Sequence, residues 1–214
     1  MLYGVIEQWD NEGCDGGITS VSFSPNGKWL ASTSNDMTIR IWDLATGSLY
    51  NPLEGHYGGI KSVVFAPNRQ LLASSSHDRT IKFWDPVTDT LHQPFMSHDN
   101  IVNSVAFSPG GKWLVSGFPN KTIKVWDLTF GTLHQTLRGS YEISSSNNIT
   151  SVSFSLDSQW LASGNSFGAI GIWNLNTGTV QQAFDCACIG MITSVALSPD
   201  GKWLVCQLSP KTDP

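Results

Sequence analysis

Five histidines, many serines and several aspartates are the residues of this sequence that could support hydrolytic chemistry, with an imidazole as base and a hydroxyl as nucleophile. Their spacing speaks against it. His56 and His98 lie 42 residues apart, as do His92 and His134, so all four stand at positions that recur. A catalytic centre breaks symmetry, whereas recurring histidines need only a repeated structural role. His77 is the unrepeated one; beside Asp78 in a turn, it is the position where a catalytic or ligand role would have to sit. The sequence has no paired-carboxylate, glycine-rich phosphate-loop or nucleophile-elbow motif. Among the four cysteines, Cys14, Cys186, Cys188 and Cys206, the Cys186-x-Cys188 pair lacks a second ligand pair at zinc spacing, so neither a metal nor another cofactor is implied.

The elements that carry these residues repeat. Trp42, Trp84 and Trp126 follow one another at 42 residues, and Trp173 comes 47 later because the connection around Tyr141 to Asn148 is longer. Phe23, Phe65, Phe107, Phe154 and Leu197 keep step with them. Between Phe23–Trp42 and Phe107–Trp126, 11 of 20 positions are identical, which marks one structural unit used repeatedly. Within a unit, Ile18 to Ser24 alternates apolar with small polar residues, Pro25-Asn26-Gly27 turns, and Lys28 to Ser32 resumes an apolar run. After a turn at Ser34 to Met37, Thr38 to Trp42 has period two; after Thr46-Gly47, Leu49 to Leu53 reads as an exposed fourth strand. Each unit is therefore an antiparallel four-stranded meander. One such sheet cannot bury both faces, so neighbours must stack on it, and radial stacking is the solution for four-stranded units. An indole at the end of each third strand fits, since burying it removes roughly 150 to 250 Å² from water, several kcal/mol at about 25 cal/mol per Å².

The totals agree with one all-β domain of 214 residues, 40% of them apolar. Charged residues make up only 14%, against roughly 25% in ordinary chains, so Ser, Thr, Asn and Gly dress the surface. Seventeen acids against 12 bases leave a net charge of −5 with no Lys/Arg block, which speaks against a nucleic-acid partner. Neither a signal h-region nor an apolar run of about 18 residues is present, so a cytoplasmic chain with reduced thiols and no membrane contact is expected.

Trp42-Asp43, Trp84-Asp85 and Trp126-Asp127, the near match Trp173-Asn174, and the upstream Gly55-His56 and Ser97-His98 resemble the signature pairs of WD repeats. The resemblance runs from residue 18 to about 207. It implies a β-propeller of four full blades, about 18–54, 59–96, 101–138 and 149–185, and a partial fifth at 192–207, between a lead-in (1–17) and a tail (208–214). It also implies a hydrogen-bonded network in each blade: a His before the first strand, a Ser or Thr on the second, an Asp in the next turn, and the Trp. The second unit carries all four as His56, Ser74 or Ser76, Asp78 and Trp84. Elsewhere the set is partial. The first unit has Cys14, Asp36 and Trp42, the third has His98, Asn120 and Trp126, and the fourth has Ser140, Phe167 and Trp173. The second blade is thus expected to be the most rigid and the fourth the least.

In such a propeller the turns after the second strand and the approaches to the first emerge on one face. Asn35, His77, Pro119 and Ser166 from the turns, Tyr57, Lys61, Asn100 and Asn103 from the approaches, and Tyr141 and Glu142 from the long connection form the candidate partner-binding ring. The expected function is a non-catalytic scaffold or sensor for other proteins; a propeller hydrolase and a decayed array are the alternatives. The regular spacing, the phrase Val102 to Pro109 and the lead-in Glu7-Gln8-Trp9 are similar to the C-terminal arrays of fungal NACHT-type (STAND) signalling ATPases. With no P-loop in this chain, that likeness implies a fragment whose ATPase lies elsewhere. Four and a half blades either form an open arc, whose bare blade edges invite self-association, or close a small ring if Val5 to Asp10 supplies a third strand to the last unit.

Overall fold

The alternating segments form strands and the Gly- and Asn-containing segments turn between them. A computed structural model describes residues 17–50, 52–68, 71–88, 90–138, 148–185 and 190–210, apart from the side chains of 93–97 and 210. The first repeat forms β1 (Ile18–Phe23), β2 (Trp29–Ser34) and β3 (Ile39–Asp43); the second forms β4 (Ile60–Phe65), β5 (Leu72–Ser76), β6 (Thr80–Asp85) and β7 (Thr90–Ser97). The third forms β8 (Ser104–Phe107), β9 (Trp113–Gly117), β10 (Thr122–Asp127) and β11 (Thr132–Arg138), and the fourth β12 (Ile149–Phe154), β13 (Trp160–Asn165), β14 (Ala169–Asn174) and β15 (Thr179–Asp185). A last pair, β16 (Gly190–Leu197) and β17 (Leu204–Pro210), runs past the expected end at residue 207. Strands pair antiparallel with their sequence neighbours in every sheet, and no helix occurs among the described residues.

Two local features set the shape of the first hairpin. Its turn requires a left-handed residue, supplied by Gly27, Gly111 and Gly201 at φ of 66°, 69° and 69° and by Ser158 at 59°. A register shift then interrupts the first strand between Ile18 and Ser20, Ile60 and Ser62, Ile149 and Ser151, and Ile192 and Ser194. The bulged residue leaves the ladder and its side chain is re-aimed at the next sheet: Thr19 Oγ donates to Ile60 O at 2.7 Å and Thr150 Oγ to Ile192 O at 2.5 Å.

The sheets stack in chain order through their first strands. β4 packs on β1 and β2, β8 on β4 and β5, β12 on β8 and β9, and β16 on β12 and β13. The core therefore lies between blades, in four clusters among the described residues: Ala31, Ile39, Ile41, Ile60 and Val63 in the first, Val115, Ile123, Ile149 and Val152 in the third, for example. Close approach fixes two glycines. A Cβ on Gly117 would stand 2.6 Å from Ile149 Cγ2, and one on Gly164 would stand 2.3 Å from Ile192 Cγ2.

The fourth strand expected at Leu49 to Leu53 is reduced to two bridges, Trp42 to Leu49 and Ile39 to Leu53. Pro52 stands between them and has no N–H to donate to a ladder. The closing strand considered at Val5 to Asp10 lies outside the described residues.

Candidate interaction face and the networks beneath it

Each full blade is pinned by one buried bond between its tryptophan and the mid-strand serine ten residues earlier. The indole N–H donates to Ser32 Oγ from Trp42 (3.1 Å), to Ser74 from Trp84 (2.7 Å), to Ser116 from Trp126 (3.1 Å) and to Ser163 from Trp173 (2.8 Å). In the second blade the chain of bonds continues. Ser74 Oγ lies 2.7 Å from His56 Nε2, and His56 Nδ1 lies 2.7 Å from Asp78 Oδ2. Because a carboxylate accepts, Nδ1 carries the proton and Nε2 takes the serine O–H. Asp78 also accepts the Tyr57 N–H (3.0 Å), the Thr80 N–H (2.9 Å) and the Thr80 hydroxyl (2.6 Å). Burial pushes its carboxyl up, but the bonds from His56, Thr80 and Tyr57 outweigh that and hold it well below the usual carboxylate range. Of the two serines considered, Ser74 is the network member. Ser76 Oγ instead donates to Gly58 O (2.7 Å) and accepts the Asp78 N–H (3.0 Å).

The other blades keep less. Asp36 accepts the Thr38 N–H and hydroxyl and pairs with Arg40 at 3.2 Å, while Cys14 lies outside the described residues. His98 is buried in the expected place, yet neither ring nitrogen has a hydrogen-bond partner among the described residues. Asn120 Oδ1 takes the Thr122 hydroxyl instead, and Phe118 packs edge-on to the imidazole with centroids 4.9 Å apart. Burial foremost, then Lys124, lowers the His98 pKa to about 4 against the pull of Asp99. In the fourth blade Phe167 is exposed, Ser140 lies outside the described residues, and Asn165 Oδ1 holds the turn by accepting the Phe167 and Ala169 N–H groups.

The residue after each tryptophan caps the following turn. Asp43 accepts the N–H of Ala45 (2.8 Å) and Thr46 (3.0 Å), and bonds from Thr46 and then Ala45 lower its pKa. Asn174 does the same for Asn176 and Thr177, so the departure from Asp costs no contact.

Above the networks, the nominated turns and strand approaches share one surface over the first two blades. The Asn35 turn abuts Gly59, whose carbonyl accepts the His77 N–H at 3.0 Å. Tyr57 stands 87% exposed beside this junction, with Lys82 Nζ 5.1 Å from its ring centre. His77 is exposed, and partial burial followed by the nearby Lys61 charge lowers its pKa. Further round, Pro119, Ser166 and Asn100 are half-buried; Ser166 Oγ accepts the Asn148 N–H, and Asn100 Oδ1 the Ile101 N–H. Asn103 is occupied between blades, donating to Ile149 O at 2.8 Å. Tyr141 and Glu142 lie outside the described residues. Sequence reading missed three exposed side chains on the same turns: Met37 and Arg79, both at left-handed φ, and Phe167. Their place one or two residues beyond the nominated turn positions was the available signal.

A family described as the IFT122 first beta-propeller matches residues 17–212. The chain belongs to this WD-repeat β-propeller family. Other WD-repeat relatives match over about one repeat. A Ribosome biogenesis protein BOP1 homolog of Monosiga brevicollis is 53% identical over 30 residues, 14% of this chain and 4% of that protein. The Pre-mRNA-splicing factor PRP46 of Eremothecium gossypii is 49% identical over 45 residues, 21% and 11% of the two chains. The U3 small nucleolar RNA-associated protein 21 of Saccharomyces cerevisiae is 60% identical over 30 residues, 14% and 3%. The match thus spans at most 11% of these three relatives, and what they share with the propeller is the repeat. No helix among the described residues is long and apolar enough to cross a membrane.

Proposed function

We propose that the chain is a protein-interaction scaffold that receives a polypeptide partner on the ring face over its second blade. One observation carries this reading. Tyr57 presents 87% of its surface to solvent while its own backbone N–H is fixed by the buried Asp78 carboxylate. An exposed amphipathic ring on an ordered platform, beside His77 and Lys61, is the composition of an interface anchor. Binding rather than catalysis fits the same geometry, because the carboxylate next to His77 in sequence is already committed to His56. Relatives named for pre-mRNA splicing and ribosome biogenesis suit a platform within a larger assembly. The likeness to NACHT-type arrays extends the reading to a sensor whose occupancy is read by a domain carried elsewhere, in a cytoplasmic setting.

Crosslinking followed by mass spectrometry tests it with the intact chain, a Tyr57→Ala/His77→Ala variant and a Val87→Ala/Thr88→Ala control on the opposite turns. Partners crosslinked to the unmodified chain should be lost from the first variant and kept by the second. The reverse pattern rejects the ring face.

A further inference from the structure

The segment Ile-Thr-Ser-Val-Ser-Phe occurs twice, as β1 and as β12, in opposite circumstances. In β12 the three apolar side chains are seated on the third blade, with Ile149 3%, Val152 6% and Phe154 9% exposed. In β1 their counterparts Ile18, Val21 and Phe23 are 47%, 55% and 65% exposed. In the β16–β17 sheet the corresponding receiving residues are exposed in their turn among the described residues. Val205 is 66% exposed, whereas its counterparts Ala31, Ala73, Val115 and Ala162 are each fully buried. Trp203, which corresponds to the half-buried Trp29, Trp113 and Trp160, is exposed as well.

Hydrogen bonding shows the same split. At every junction a serine of one first strand accepts the N–H of a valine in the next: Ser20 from Val63, Ser62 from Val105, Ser104 from Val152, and Ser151 from Val195. Among the described residues, the Val21 N–H and the Ser194 hydroxyl are the unmatched halves of that series. Thr150 Oγ reaches both Gly164 O (3.1 Å) and Ile192 O (2.5 Å). Thr193 Oγ repeats the first contact, 3.2 Å to Gln207 O, in the last sheet, and the Ile18 carbonyl of β1 matches the acceptor of the second.

We propose that these two end faces are a heterologous docking pair: the β1 face of one copy stacks on the β16–β17 face of a second copy, continuing the blade-to-blade interface in trans. The occupant is a second copy because β1 repeats β12, the strand that the third blade receives, and Ser194 and Val205 stand in the last sheet where Ser104 and Val115 receive it. Faces rather than strand edges carry the contact. Gln207 stands where β9 and β13 have glycine, so it must swing aside, and the junction is weaker than those within the chain. A head-to-tail contact of this kind propagates into a ring or an open fibre. The inference rests on blade stacking alone and is independent of what the ring face binds.

Sedimentation velocity on the full chain over a concentration series tests it, with Val21→Lys and Val205→Lys variants checked by circular dichroism. Both positions are exposed, so both variants should keep the circular dichroism spectrum of the unmodified chain. The unmodified chain should grow in mass with concentration, and each variant alone should remain a monomer. An equimolar mixture of the variants should recover a 1:1 dimer and nothing larger, because one intact head then meets one intact tail. A monomeric unmodified chain, association of either variant alone, or no dimer in the mixture overturns the proposal. Tyr57→Ala/His77→Ala should associate as the unmodified chain does, so failure here and failure of the ring-face reading are told apart.

Discussion

Blades 2 and 3 bury a histidine against a tryptophan in the same register but satisfy it differently. His56 is bonded through both ring nitrogens, to Ser74 and to Asp78, and its ring lies 5.8 Å from that of Trp84. His98 lies 5.4 Å from Trp126 and has aromatic neighbours where His56 has hydrogen bonds. Two residues beside the imidazole differ: Asn120 in place of Asp78, and Phe118 in place of Ser76. A propeller built from stacked sheets tolerates this because each blade is also held by the apolar clusters on its two faces. Polar networks here tune individual blades, while the fold rests on stacking.

The largest expected difference comes from Asp78→Ala. It strips the partner from a buried imidazole and from the Tyr57 and Thr80 N–H groups, and should destabilise the chain by about 3 to 5 kcal/mol in denaturant unfolding. Asn120→Ala removes one turn contact and should cost about 1 kcal/mol or less. Equal costs would mean the complete network contributes nothing beyond its turn.

Acid separates the blades next. The His98 pKa is lowered from 6.5 to about 4, so between those values the unfolded chain binds a proton that the folded chain refuses. Stability therefore falls as pH drops through that window, by up to about 3 kcal/mol, and levels off below it. Asp78 acts in a lower window: its depressed pKa stabilises above the ordinary carboxylate value of 3.8, and that contribution is lost as pH falls further. Unfolding midpoints from pH 7 to 4.5 should show the first loss in the unmodified chain and not in His98→Leu. Parallel curves would assign the acid sensitivity elsewhere.

Serine removal sharpens the contrast on a smaller scale. Ser74→Ala leaves both the Trp84 N–H and His56 Nε2 without a partner, about 2 kcal/mol; Ser163→Ala strands the Trp173 N–H alone, about 1 kcal/mol. Thermal unfolding of the two variants measures the difference.

Which of these features the sequence announces depends on whether a signal is periodic. Tryptophans at a constant interval, alternating first strands and the Pro/Asn/Gly turns repeat, so the meanders and their order could be read directly, whereas the second network was an expectation from the resemblance to WD repeats with its serine left open. The bulge at Thr19, Lys61 and Thr150 could not, because a one-residue register shift leaves the alternation of residue types nearly intact. Its consequence, that position 103 serves the next blade and not the surface, was lost with it. The weak fourth strand at Leu49 to Leu53 was signalled by Pro52, which the periodic pattern overshadowed. Choosing Ser74 over Ser76 required the third dimension, since side chains two apart on a strand share a face and only distance separates their roles.

A gain of stability, where the other substitutions lose it, is the most direct check on what distinguishes the two blades. Asn120→Asp places a carboxylate where Asp78 stands in blade 2 and keeps the oxygen that accepts the Thr122 hydroxyl. The amide it replaces offers a donor at one of its two positions, whereas a carboxylate offers only acceptors, and an imidazole N–H needs an acceptor. If the turn alone separates the blades, His98 gains its bond, stability rises by about 1 kcal/mol at pH 7, and the acid loss between pH 6.5 and 4 shrinks because the folded chain now holds the proton more tightly. The His98 ring resonances followed by NMR through the same pH range report that change at the residue itself. Unchanged stability with an unchanged titration would assign the difference to Phe118, whose ring then keeps the imidazole from the turn whatever residue stands at position 120.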